Sequence, residues 1–413
     1  MRKNYFVKLM NYMKNVYHIE NGIKKLTDGR VNPKYKTPQV IMPLFLGFMI
    51  RIESMNELKL RLQENEFINV FSRGTKLPQI DTIRDTLKVL EIDGLKIILR
   101  HTVERAIANK VFVNGTIDGY MVGAIDGTKF FGSNKKSCTK CLTTTRGNTT
   151  HSFHNGVVMA TIGEGPKLTV GFEMYRPGDA ASKDEGEQNV AKRLISYVST
   201  IYGNIFDIVV YDALVCNSLW INHCLDLEID VIVRAKDNNI NSLKQVKKIT
   251  NKKEPVEVWE NEKGFESVKV YESTFKMDNV KQPLRFAKFA MKHKDGKRSQ
   301  IMIVTSRMDL GLKTLFKMIR ARWDIENSIF NNLKTECGLE HCYVHRGNAV
   351  EAVIYLIFIS ANIMQLFLMR RLKKHYETQK EIVRITIKGL YMLDYLPELV
   401  FRGSQSERQF NKG

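Results

Sequence analysis

The sequence predicts a mixed α/β protein with a helical N-terminal region, a strand-rich centre interleaved with helices, and a return to helix beyond residue 311. Three patterns carry this. Apolar residues recur near helical spacing through the first hundred positions, short unbroken apolar runs punctuated by Gly, Pro and Asp take over from Tyr120, and helical spacing resumes at Leu312. The 413-residue length allows several domains. With 43% apolar and 26% charged residues, the composition excludes wholesale disorder and collagen-like or coiled-coil repeats.

Residues 1–115 open with a basic leader (Lys24, Lys25, Arg30, Lys34, Lys36). Apolar periodicity follows through Leu58, Leu62 and Phe67, and then a helix start at Pro78 and Asp81 leads into Ile83, Leu87 and Leu90. Residues 116–235 begin with a buried-strand run, 121–125, stopped by the turn Asp126-Gly127. Strands at 157–162 and 168–172, split by Gly163, Glu164, Gly165 and Pro166, complete an antiparallel meander. An acidic start at Asp184, Glu185 and Glu187 opens a helix carrying Val190, Leu194, Val198 and Ile201. Strand 205–211 ends at Asp212, and a short helix over 219–225 leads to strand 231–233. Residues 236–310 read as a β-rich insertion in which lysine-rich loops (Lys244, Lys247, Lys248, Lys252, Lys253) alternate with strands. Residues 311–370 return to helix and end in an apolar run, and 371–413 form a basic tail.

Lys plus Arg number 64 against 44 Asp plus Glu, a net charge of +20 that favours a polyanionic partner, nucleic acid first and an anionic membrane second. The uncharged run 352–369 reaches the lower limit for a spanning helix, but Ser360, Asn362 and Gln365 interrupt it. It is therefore expected as a buried helix packed against the sheet, with no membrane partner. Six scattered cysteines and the lack of a secretion signal suit a reducing cytoplasm.

Three carboxylates stand out. Asp126 and Asp212 each end a strongly apolar strand, where a rigid sheet can hold a site; the plainer alternatives are a turn and a helix cap. Around Glu326, stepping by four aligns Arg322, Glu326, Phe330 and Lys334 beside the core stripe Ala321, Ile325, Ile329 and Leu333. That places a carboxylate between two cations, although Arg322 and Glu326 alone would also suit an ordinary surface pair. A separate cluster, Cys138-x2-Cys141 followed by His151-x2-His154, offers four ligands within 17 residues and suits tetrahedral Zn²⁺ as a structural staple. His341, Cys342 or Cys337 can replace one histidine in that set, and two thiols with two exposed imidazoles are the metal-free alternative.

The strand, helix and carboxylate order is similar to the RNase H-like fold of DDE transposases of bacterial insertion sequences. The resemblance is most specific at Arg322, Trp323, Asp324, Ile325, Glu326 and Asn327, followed by Phe330, Leu333, Lys334, Gly338 and Leu339. Ala124 to Thr128 and Val209 to Ala213 add shorter matches, and the β-rich insertion resembles one branch of the family. That branch's Tyr-x2-Arg-x3-Glu-x6-Lys signature calls for a tyrosine at position 319 and a lysine at position 333, where this chain has Ile319 and Leu333. The tyrosine's role is therefore missing, and Lys334 stands one position off.

The resemblance implies Asp126, Asp212 and Glu326 as catalytic ligands of two Mg²⁺ ions, with Mn²⁺ able to substitute, in an in-line attack on a phosphodiester. It further implies Arg322, Lys334 and Trp323 as DNA contacts, and DNA at the element ends and target as partner. A homo-oligomer, a dimer on DNA, is expected in the cytoplasm at the nucleoid. The alternatives are a nuclease or resolvase that cuts without joining, and an inactive zinc-stabilised DNA-binding protein. Residues 1–115 are expected to recognise the element ends.

Overall fold

The computed structural model describes residues 4–71, 76–177, 183–236, 240–262, 264–372 and 378–392. They fall into two units: a sheet unit of residues 112–128 and 155–330, and a helical unit of residues 1–111, 129–154 and 331–413. This grouping differs from the consecutive segments the sequence suggests. Residues 129–154 and the end of the chain join the N-terminal helices, while the 236–310 segment belongs to the sheet unit. Interleaving of this kind leaves no mark in composition, which reports only on neighbours along the chain.

The strands among the described residues are β1 (Val122–Ser133), β2 (Leu142–Arg146), β3 (Thr149–Thr161), β4 (Thr169–Met174), β5 (Ile208–Tyr211), β6 (Asp230–Arg234), β7 (Glu257–Glu260), β8 (Phe265–Phe275), β9 (Leu284–His293) and β10 (Arg298–Thr305). The sheet order is β2-β3-β1-β5-β6-β10-β9-β8-β7, with β4 also paired to β3, further along it than β2. β1, β5 and β6 run parallel, and the β6–β10, β10–β9, β9–β8 and β8–β7 pairs are antiparallel. Parallel strands are covered on both faces and read as continuous apolar runs. Val122 to Ile125 and all of β5 are accordingly buried. The helix Lys183–Tyr202 packs on β4, and the helix Ser218–Asp226 packs on β6.

Three expectations about the sheet region are corrected. β1 does not stop at Asp126-Gly127; it continues to Ser133, with Thr128 and Phe130 buried in alternation. The insertion is no separate body, because β10 pairs directly with β6. Its first lysine-rich loop is the helix Asn241–Asn251, in which Leu243, Val246 and Thr250 turn inward and the lysines occupy the other face.

In the helical unit, the helix Ala349–Phe367 is buried nearly all round. Its partners are the helices Ile92–Ala108, Thr37–Met49 and Ile80–Lys88. A helix apolar on every side needs neighbours on every side, and these helices are among them. The stretch Ala349–Leu372 is long and apolar enough to cross a membrane, yet 89% of its apolar window is buried within the protein. The expected C-terminal tail is partly a helix, Gln379–Tyr391, opened by a Thr378–Glu381 capping box. It packs on the helix Tyr5–Asn15, where Asn4 Nδ2 donates to the Gly389 carbonyl at 2.9 Å. Lys373, Lys374 and residues 393–413 lie outside the described residues.

Candidate active site

The two aspartates follow a pair of neighbouring parallel strands. β1 pairs with β5 as Val122 with Ile208, Gly123 with Val209 and Ala124 with Val210. Asp126 and Asp212 each stand two residues beyond the last of these pairs. Only 18% of the Asp126 side chain is exposed. Burial pushes its carboxyl up to about 7, the Glu326 and Glu187 carboxylates add to the rise, and the Arg322 guanidinium opposes it. The Gly127 amide donates to Asp126 Oδ1 at 3.0 Å.

Asp212 follows β5 at the cap position of the turn Ala213–Val215, but its side chain accepts no capping hydrogen bond. Oδ1 is buried without a partner, and Oδ2 lies 3.8 Å from Lys236 Nζ. A buried carboxylate oxygen with nothing bonded to it calls for an explanation. Hard oxygen donors of this kind suit a divalent cation.

Glu326 sits in a π-helical turn, Ile325–Phe330, that follows the helix Leu312–Ala321. Such turns insert an extra residue and are frequent at functional sites. Arg322 still reaches Glu326 with i,i+4 geometry: Nη2 is 2.8 Å from Oε1, while Nη1 lies 3.8 Å from Asp126 Oδ2. The arginine is buried between the two acids, and its Nη1 makes no hydrogen bond. Trp323 is half-buried, with the Arg322 and Arg234 guanidinium groups each 5.6 Å from its ring. Asp324 accepts from the Gly163 amide at 3.0 Å and pairs with Lys167 at 3.0 Å; Lys167 also reaches Ser328 Oγ at 3.2 Å. The Gly163–Pro166 turn thus anchors the segment that carries Glu326.

The stripe read at steps of four does not continue past Glu326, because the π turn changes the spacing. Lys334 lies beyond that turn in the helix Asn331–Thr335, with its ammonium 2.8 Å from Glu340. Glu187 was read only as part of an acidic helix start. Its carboxylate accepts from Tyr211 and Tyr175, each at 3.2 Å, and a Cβ on Gly127 would stand 2.8 Å from its Oε2. The signal available in the sequence was the glycine beside Asp126, which leaves room for a carboxylate. The side chains of Asp184 and Glu185 lie outside the described residues.

In the helical unit, Cys138, Cys141, His154 and His345 bring four donor atoms within 4.8 Å of one another. His151 is corrected as a member of this set: its Nδ1 lies 2.6 Å from Asn134 Oδ1 and its Nε2 3.1 Å from Lys129 Nζ. On β3 it sits three residues from His154, an odd step that turns the two rings to opposite faces. Nor do the suggested replacements enter. His341 packs edge-on against Tyr343, Cys337 bonds to Arg51, and Cys342 is not among the four.

A family model described as the Transposase DDE domain matches residues 118–363. Among solved structures, the chain is similar to the piggyBac transposase in a synaptic complex with hairpin DNA, at 10% identity and a TM-score of 0.45, covering 98% of this chain and 87% of that one. It is also similar to the NurA nuclease from Sulfolobus solfataricus, at 12% identity and a TM-score of 0.27, covering 63% of this chain and 94% of that one. A comparison with curated proteins returned no match. The family match spans more than half of the chain and contains Asp126, Asp212, Arg322 and Glu326, and on that ground the chain belongs to the DDE transposase family, enzymes that cleave and transfer DNA strands.

Proposed function

We propose that Asp126, Asp212 and Glu326 form the reacting centre through which this transposase cuts DNA at the ends of an insertion sequence and joins those ends to target DNA. The observation that carries the reading is Arg322 held between Asp126 and Glu326, with Asp126 and Asp212 following neighbouring parallel strands and a buried Asp212 oxygen without a partner. Two Mg²⁺ ions, or Mn²⁺ in their place, would be held by the three carboxylates and would supply Lewis-acid stabilisation of the attacking and leaving oxygens. Asp126 must give up its proton to serve as such a ligand, and Arg322 stabilises its anion meanwhile. The Arg322 guanidinium, whose Nη1 makes no hydrogen bond within the protein, would turn from the carboxylates to a phosphate oxygen and hold the scissile strand. Trp323, beside two guanidinium groups, offers its ring to a base of the same strand.

Recognition of the ends falls to the N-terminal helical region. There Lys25, Lys34 and Lys36 are exposed, while Lys24 and Arg30 pair with Glu20 and Asp28. Two copies acting together, one at each end, suit the need to join both ends, and the protein acts on DNA in the cytoplasm. The test uses full-length protein, a duplex carrying the terminal repeat that flanks the gene, a supercoiled target plasmid and Mg²⁺. Cleavage at the repeat followed by covalent joining to the plasmid is the expected outcome. Cut ends without joined product would establish the nuclease reading, and intact duplex the inactive one.

A further inference from the structure

We propose that Cys138, Cys141, His154 and His345 hold a structural Zn²⁺ ion that fastens the loop over residues 336–348 to the β2–β3 hairpin. This proposal is independent of the carboxylate centre and uses donors of a different chemistry. Four of the five inter-donor distances involving sulfur are 3.6 Å for Cys138 Sγ to Cys141 Sγ, 3.4 Å from each sulfur to His154 Nε2, and 3.2 Å for Cys141 Sγ to His345 Nε2, and the fifth, Cys138 Sγ to His345 Nε2, lies within 4.8 Å. The two Nε2 atoms are 3.0 Å apart. A tetrahedral site with bonds of about 2.3 Å to sulfur and 2.0–2.1 Å to nitrogen has edges of about 3.8 Å between sulfurs, 3.6 Å between sulfur and nitrogen, and 3.3 Å between nitrogens. Every measured edge falls within about 0.4 Å of these values, and the thiols and imidazoles converge on one point.

The backbone prepares the same arrangement. Cys138 and Cys141 bracket a tight turn in which the Cys141 amide donates to the Cys138 carbonyl at 3.1 Å and the Cys138 amide donates to Cys141 Sγ at 3.4 Å. β2 and β3 pair Leu142 with Phe153, and the same register one step back sets Cys141 beside His154. Three donors therefore come preassembled on the hairpin. His345 comes from 191 residues beyond His154, in a stretch without regular structure between the helices Asn331–Thr335 and Ala349–Phe367. Phe131 stacks edge-on against its ring at 4.9 Å, and Lys140 Nζ donates to Asn348 Oδ1 at 3.0 Å, a second tie between the same two segments. Four protein donors leave no open coordination position, which marks a structural centre and not a reacting one. The loop runs directly into the buried helix at Ala349, so the ion would fix where that helix begins.

The test begins with metal analysis of full-length protein purified without chelator, which should contain about one zinc per chain. Exchange with Co²⁺ should give the intense visible bands of a tetrahedral site together with near-ultraviolet thiolate charge transfer. His345→Ala should lower bound zinc to below about a tenth per chain, whereas His151→Ala should leave it unchanged. His345→Cys should retain the metal and strengthen the charge-transfer band by adding a third thiolate, a readout that stands if the alanine variant does not fold. Wild-type protein without zinc, weak six-coordinate Co²⁺ bands, or equal zinc loss from His151→Ala and His345→Ala would each overturn the proposal.

Discussion

Asp126→Asn, Asp212→Asn and Glu326→Gln each reduce Mg²⁺-dependent strand cleavage by more than about 100-fold, because loss of a residue that merely supports a metal ligand already costs about 10–100-fold. Each variant still folds and binds duplex DNA, since phosphate contacts from Lys and Arg carry that affinity. Stability separates this outcome from a structural role. The folded-state carboxyl of Asp126 is raised to about 7, so in the metal-free protein its ionisation works against folding. That penalty is absent near pH 4, grows as the pH climbs toward 7, and is constant above. Asp126→Asn removes it, and the melting temperature of the metal-free variant at pH 8 is therefore expected to equal or exceed that of the wild type. A variant that retains near-normal cleavage would remove its residue from the centre. One that unfolds would assign that residue to the scaffold.

Phe358→Ala is expected to lower the free energy of unfolding by about 3–5 kcal/mol, read from urea denaturation of the detergent-free protein. Phe358 has no exposed surface and lies in the middle of the helix Ala349–Phe367. The size of the effect distinguishes a core helix from a lipid-facing one. In lipid the surroundings are as apolar as the side chain and truncation loses little, whereas in a packed core it leaves a cavity. A change below about 1 kcal/mol, within the range of ordinary surface substitutions, would contradict the packed-core reading.

The sequence made the helix Ala349–Phe367 legible because its signal is local: a long apolar run with polar side chains that water or lipid would not explain. The strand cores at 121–125, 157–162, 168–172, 205–211 and 231–233 were legible for the same reason, whereas β2, polar and exposed, and the mostly polar first half of β3 were not. Asp126, Asp212 and Glu326 stood out through their positions after apolar runs and beside Arg322, and the structure holds Arg322 between Asp126 and Glu326. What stayed hidden depends on distance along the chain or on a one-residue change in spacing. His345 could not be assigned to Cys138, Cys141 and His154 from spacing, because its partners lie some 190 residues away. The stepping by four that aligned Lys334 with Glu326 assumes a uniform helix through what is a π turn. The lysines of 244–253 hid a helix, since their abundance masked the inward spacing of Leu243, Val246 and Thr250. The Asp126-Gly127 pair carries the composition of a turn, yet the glycine serves a different need, the close approach of Glu187.

The most direct test of the carboxylate centre is anomalous diffraction from crystals of the full-length protein soaked in Mn²⁺. The expected result is manganese density bounded by the carboxylates of Asp126, Asp212 and Glu326, with the Arg322 guanidinium displaced from Glu326 Oε1 by the competing positive charge. Manganese bound elsewhere, with Arg322 still paired to Glu326 and the Asp212 oxygen still without a partner, would contradict it.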